Sequence, residues 1–130
     1  MGEIKVGEIK DLKVGSYVMI DDEPCKVSRI TKSKPGKHGS TKARVEANGI
    51  FDGKRRTLLK PTSASCNIPM ILKKGAQVIS ITGNNAQLMD LGDYSMFEVE
   101  IPEDLKAKVQ AGAEVEYWEI GNRKMIKNAR

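Results

Sequence analysis

Apolar residues recur along this chain in short stretches broken by Gly, Pro, Asn and Asp, a rhythm that predicts the strands of small barrels rather than a helix bundle. Leu12 to Gly15 reads as a turn into a strand at Tyr17-Val18-Met19-Ile20. Asp21-Asp22-Glu23-Pro24 breaks that strand before Cys25 to Ile30 resumes it as a first hairpin. Thr41 to Ala47 alternates small apolar and charged residues with period two, which predicts one buried and one wet face. The nine residues between these strands, Lys32 to Ser40, carry no hydrophobic anchor and are expected to project into solvent as a loop. Asn48-Gly49 and Asp52-Gly53 signal turns, and Arg55 to Leu59 predicts a further strand ended by Pro61. Pro61 to Asn67 reads as a polar loop, and Ile68 to Leu72 as the strand that closes a first unit over residues 1–72.

A second unit, residues 73–130, is expected to open at Lys73-Lys74-Gly75. Gln77 to Ile81 is β-like, Gly83-Asn84-Asn85 is a turn, Ala86 to Asp90 pairs back, and Phe97, Val99 and Ile101 alternate with Glu98 and Glu100. Pro102-Glu103-Asp104 has the Pro and acids favoured at a helix start. Leu105 and Val109 then share one face and Gly112 follows the end, so one short helix is expected. Val115 to Ile120 and Lys124 to Ile126, joined across Gly121-Asn122, predict the last hairpin. Five strands with a helix before the final hairpin are compatible with an OB-like barrel. The fold class expected is therefore mostly all-β.

A length of 130 residues admits one domain or two barrels of about 60 residues each, so the division rests on pattern rather than on size. With aromatics at 5%, the core must come from Val, Ile, Leu, Met and Ala, and platforms for stacking nucleobases are few. Apolar runs are too short to span a bilayer, and MGEIKVGEIK is too charged for a secretory signal, so a cytoplasmic protein without membrane attachment is expected. Cys25 and Cys66 lack any CxxC or Cys/His spacing and are expected as buried free thiols; no metal constellation assembles around the single histidine, His38.

Charge separates the two halves more sharply than composition does. Residues 1–72 hold 14 Lys/Arg against 8 Asp/Glu, whereas residues 73–130 hold 8 against 9. Between Arg29 and Arg44 lie Arg29, Lys32, Lys34, Lys37, Lys42 and Arg44 with no acid. Such a stretch suits a polyphosphate partner held with salt-dependent affinity, or equally a solvated basic face with no partner.

Lys34-Pro35-Gly36-Lys37-His38-Gly39-Ser40 is the most informative segment. It is not a Walker A loop, which needs GxxxxGK[ST] between strand and helix; here His38 follows Lys37 and a β-like segment follows the loop. No spacing sets a base against Cys25 or Ser40, so no catalytic residue is expected and the protein is read as a non-enzyme. What the segment favours is presentation of one amine. Pro35 restricts its own φ and the conformation of Lys34, while Gly36 and Gly39 permit positive φ, so Lys37 can occupy the apex of a tight bend. An ordinary long hairpin is the competing reading.

This segment, extended through Thr41-Lys42-Ala43-Arg44, closely resembles the hypusine loop of the translation initiation factor 5A family, homologous to bacterial elongation factor P. The resemblance extends over essentially the whole chain, including the Pro61 loop, Asn67-Ile68-Pro69 and IPEDL, and Pro35-Gly36 with Ser40 look archaeal. It implies an N-terminal SH3-like barrel followed by a C-terminal OB-fold. It also implies that Lys37 receives an aminobutyl group from spermidine through deoxyhypusine synthase, with no other cofactor. The implied role is a translation factor, monomeric when free, that binds ribosomal RNA and peptidyl-tRNA and aids peptide-bond formation at stalls such as proline runs. Arg29, Lys32, Lys42 and Arg44 would then make phosphate contacts. The alternative is a constitutive RNA-binding module indifferent to Lys37.

Overall fold

Backbone pairing is antiparallel throughout, as expected for strands joined by short turns. The computed structural model describes residues 4–33 and 41–130. Contacts divide the chain between Met70 and Ile71 into two compact units.

In the first unit, β2 (Tyr17–Ile20), β3 (Glu23–Ser33), β4 (Lys42–Gly49) and β5 (Arg55–Pro61) form a four-stranded sheet in that order. Asp21 and Asp22, both at positive φ (52° and 62°), make the two-residue turn between β2 and β3. Asp tolerates that region, and the primed geometry matches strand twist. The turn is tighter than expected, because Glu23 and Pro24 already belong to β3. In β4 the period-two pattern becomes burial: Ala43, Val45 and Ala47 are solvent-free while Lys42, Arg44 and Asn48 face water. These three pack with Ile9, Val18, Ile20, Cys25 and Val27 in the core.

A second, two-stranded sheet pairs β1 (Ile4–Glu8) with β6 (Ser65–Pro69). Neither strand was expected in this form. β1 buries no side chain fully, so it has no apolar signature and is held by its backbone ladder. β6 begins inside the run expected to be loop and stops at Pro69, so Leu72 belongs to the following unit instead of closing this one.

The second unit is a five-stranded sheet ordered β11-β10-β7-β8-β9, from β7 (Leu72–Thr82), β8 (Asn85–Asp90), β9 (Met96–Glu100), β10 (Glu114–Ile120) and β11 (Arg123–Ala129). Bulges at Val78/Ser80 and Glu116/Tyr117 bend it. The curled sheet wraps Val78, Leu88, Val99, Val109, Val115, Tyr117 and Ile126. The expected short helix is a single 3-10 turn, Glu103–Leu105. No side chain caps its start at Pro102, and the stretch up to Gly112 is too short to repay helix nucleation. The expected apolar face is nevertheless used. Val109 is buried and its N–H donates to the Leu105 carbonyl at 3.0 Å, while Gly112, at φ 88°, donates to Val78.

Candidate nucleic-acid interface

β3 and β4 form the two arms of a hairpin whose last described rung is Ser33 opposite Lys42. Thr41 is tied across the sheet through its carbonyl, which accepts the Thr62 N–H at 2.9 Å. The expected modification site Lys37 and its neighbours Lys34, Pro35, Gly36, His38, Gly39 and Ser40 lie outside the described residues.

Cross-strand partners point to the same face, so the register sorts the basic residues. Arg29 lies opposite Glu46, Thr31 opposite Arg44 and Ser33 opposite Lys42, all away from the buried Ala43, Val45 and Ala47 row. On the far side of β4, Arg55 faces Asn48, and Asn48 in turn faces Lys26. The outward face of β3, β4 and β5 thus gathers Lys26, Arg29, Lys42, Arg44 and Arg55 with hydroxyls from Thr31, Ser33 and Thr57. Lys26 and Arg55 were not among the residues expected there. Their membership depends on register, which the sequence pattern does not specify.

Lys32 is not part of this face. It lies opposite Ala43, on the core-side row, as does Lys60. Arg29, Lys42 and Arg44 are therefore brought together and Lys32 is set apart, because one step along a strand reverses the direction of a side chain.

Glu46 is the one carboxylate on the outward face of these three strands, and its side chain is only 13% exposed. Its Oε1 accepts Arg55 Nη2 at 3.2 Å, and its Oε2 sits 3.8 Å from Arg29 Nε. One largely buried anion thus spans two exposed guanidinium groups from different strands. The bulge between Val27 and Arg29 sets Arg29 opposite it, and the extra residue, Ser28, donates its hydroxyl to the Glu46 carbonyl at 3.1 Å. The arrangement leaves an excess of positive charge beside phosphate-compatible hydroxyls, which can grip a phosphate backbone without reading bases.

Arg56, next in chain to Arg55, is committed elsewhere. It donates two hydrogen bonds to Asp52, at 2.9 and 3.1 Å, and this pairing holds the Asp52 carboxyl down at about 2 and raises the guanidinium. Burial pushes the thiols of Cys25 and Cys66 up, and both are free, as expected. Among the described residues no group of His, Cys, Asp or Glu could hold a metal ion, and no helix is long and apolar enough to cross a membrane.

Family comparison decides the identity of this framework. Residues 4–64 match the family described as translation initiation factor 5A-like, N-terminal, and residues 70–130 match eukaryotic elongation factor 5A hypusine, DNA-binding OB fold. The chain belongs to the translation initiation factor 5A family. Translation initiation factor 5A of Methanocella arvoryzae is 56% identical over 110 residues, covering 85% of this chain and 86% of that one. The Korarchaeum cryptofilum factor is 55% identical over 124 residues, covering 93% and 92%. The solved eukaryotic translation initiation factor 5A from Methanococcus jannaschii superposes with a TM-score of 0.91 at 41% identity, covering 98% of this chain and 95% of that one. Two all-β units, the second an OB fold, are thus the architecture of a translation initiation factor 5A family member.

Proposed function

We propose that the protein binds the ribosome beside the peptidyl-tRNA and promotes peptide-bond formation at stalling sequences such as proline runs, through Lys37 carrying a spermidine-derived aminobutyl group. Deoxyhypusine synthase supplies that group, and the free factor is a cytoplasmic monomer. The observation that supports this reading most is the outward face of β3, β4 and β5, where Lys42 and Arg44 lead along one strand towards the rung that joins residues 34–40.

The mechanism is positional. Arg29, Lys42, Arg44 and Arg55 engage phosphates and set the orientation of the hairpin on RNA. The modification roughly doubles the reach of a lysine stem and adds a second cationic nitrogen, so a thin polycation enters where a folded protein cannot. Steadying the tRNA acceptor end removes an entropic part of the barrier, while the ribosome performs the chemistry. The chain itself needs no nucleophile or general base.

Intact-mass and peptide mass spectrometry of protein from its native host test the reading. A spermidine-derived adduct confined to Lys37 is expected. Bare lysine at that position throughout the population contradicts it, and with unaltered ribosome binding by Lys37→Arg would leave a constitutive RNA-binding module.

A further inference from the structure

The loop between β8 and β9 holds a large aromatic side chain in water under backbone constraint. Tyr94 has φ 63° and is 68% exposed. A bulky residue persists in that region only where its surroundings over-determine it. Here they do. The Tyr94 N–H donates to the Asp90 carbonyl at 2.9 Å, and the Asp90 N–H donates to the Ser95 carbonyl at 2.8 Å. Asp90 Oδ1 accepts the N–H groups of Gly92 and Asp93 at 2.7 and 3.0 Å, while Asp93 Oδ1 accepts the N–H and hydroxyl of Ser95 at 2.9 and 2.7 Å. Tyr117, buried in the core, donates its hydroxyl to Asp90 Oδ2. The loop is anchored from inside the barrel.

Tyr94 does not stand alone. Leu91 and Met96 are 37% and 48% exposed, so three large apolar side chains face solvent within six residues of chain. Beside the loop runs an open cleft of about 400 Å³ lined by Lys74, Gly75, Asp90, Leu91, Gly92 and Asp93. Lys74, the cation in that lining, is 3.5 Å from Glu119. A rigid, exposed aromatic beside an open cleft lined by both charged and apolar groups is an arrangement that anchors protein interfaces, because little side-chain entropy is lost on docking.

Charge selects the partner. OB folds commonly bind nucleic acid on the face of their second and third strands, here β8 and β9. The outward residues of those strands are Asn85, Gln87, Met89, Met96, Glu98 and Glu100, two carboxylates and no cation. Asp93 adds a third at the loop end. A polyanion would be repelled there, whereas a cationic chain would be attracted.

We infer that the surface formed by Leu91, Tyr94 and Met96, flanked by Asp93, Glu98 and Glu100, is a docking site for a Lys/Arg-rich protein segment that carries an apolar side chain. It is separate from the basic face of β3, β4 and β5 and does not depend on Lys37.

The test is an NMR titration of the 15N-labelled full chain with three probes: a short Lys/Arg-rich peptide containing one Leu, its Glu-rich counterpart, and a single-stranded RNA oligomer. The basic peptide is expected to shift the amides of Leu91, Tyr94, Met96 and Glu98, and the other two are not. Tyr94→Gly, which keeps positive φ accessible, should weaken peptide binding tenfold or more with an unchanged melting curve. RNA-induced shifts at residues 91–98, unmoved amides there with the basic peptide, or equal affinity for Tyr94→Gly would each overturn the inference. Shifts by RNA at Arg29, Lys42 and Arg44 report on the proposed function alone, so either reading can fail without the other.

Discussion

Replacing Tyr117 by Phe removes one hydroxyl from the centre of the second unit and tests how its buried polar pair contributes to stability. Tyr117 is 1% exposed and Asp90 6%, and the hydroxyl is the side-chain donor to Asp90 Oδ2. Oδ1 keeps its two backbone donors, so the variant strands half of a carboxylate instead of all of it. Leaving a buried acceptor without its donor costs about 1–3 kcal/mol, which for a unit of this size corresponds to roughly 10 °C at the middle of that range. Trp118 is the chain's one tryptophan, lies in the same unit and is nearly buried, so its fluorescence follows this unit during urea unfolding. Asp90→Asn supplies the second arm of a double-mutant cycle, and a coupling of about 1 kcal/mol or more is expected.

The pH dependence has a definite sign on both sides. The Tyr117 hydroxyl and the Asp93 and Gly92 N–H groups hold the Asp90 carboxyl below its ordinary value, so its contribution is complete above about pH 4 and is lost as pH falls through the lower folded value. Burial, and the bond to Asp90, push the Tyr117 hydroxyl up, so its contribution is present below about pH 10 and is lost as pH rises past that. A Tyr117→Phe midpoint within about 0.3 kcal/mol of the parent at pH 7, or strict additivity with Asp90→Asn, would refute the reasoning.

Two further substitutions probe the first unit. A Cβ added at Gly49 would lie 2.0 Å from Asp52 Oδ1 and 2.8 Å from Arg56 Nη1, so Gly49→Ala should displace this pair and destabilise the unit by about 1–3 kcal/mol in urea unfolding followed by circular dichroism; an unchanged midpoint would show that the loop shifts freely. Arg44→Ala should weaken ribosome binding and reduce the slope of log K against log salt by about 0.7–0.9, whereas Lys32→Ala, set on the core-side row, should change it less; equal losses would contradict the division of faces.

Much of this fold was legible because its strands are short and its turns chemically explicit. Thr41 to Ala47 could be assigned to a half-buried strand from alternation alone, against an observed Lys42–Gly49, and Gly83-Asn84-Asn85 and Gly121-Asn122 marked hairpins that the register contains. The failures have physical causes. β1 is paired by backbone and buries no complete side chain, so hydrophobic periodicity could not reveal it. Pro102 to Val109 carries helix-start chemistry and a buried residue at the expected spacing, yet one 3-10 turn suffices to seat Val109. Lys32 looked equivalent to Arg29 in a run of cations, but a bulge and a strand register decide which side chains share a face. Arg55 and Glu46 entered the basic face for the same reason, and residues 91–96 drew no notice because an isolated Tyr in a polar turn reads as ordinary loop. The family, by contrast, was visible in Lys34 to Ser40, a segment whose information is chemical rather than conformational.

The measurement that bears most directly on the account is translation of a proline-run reporter on archaeal ribosomes supplied with aminobutyl-modified protein, unmodified protein or Lys37→Ala. Rescue by the modified form, with little or none from the other two, is the predicted result. Equal rescue by all three would leave the two-unit fold intact and contradict the role assigned to Lys37.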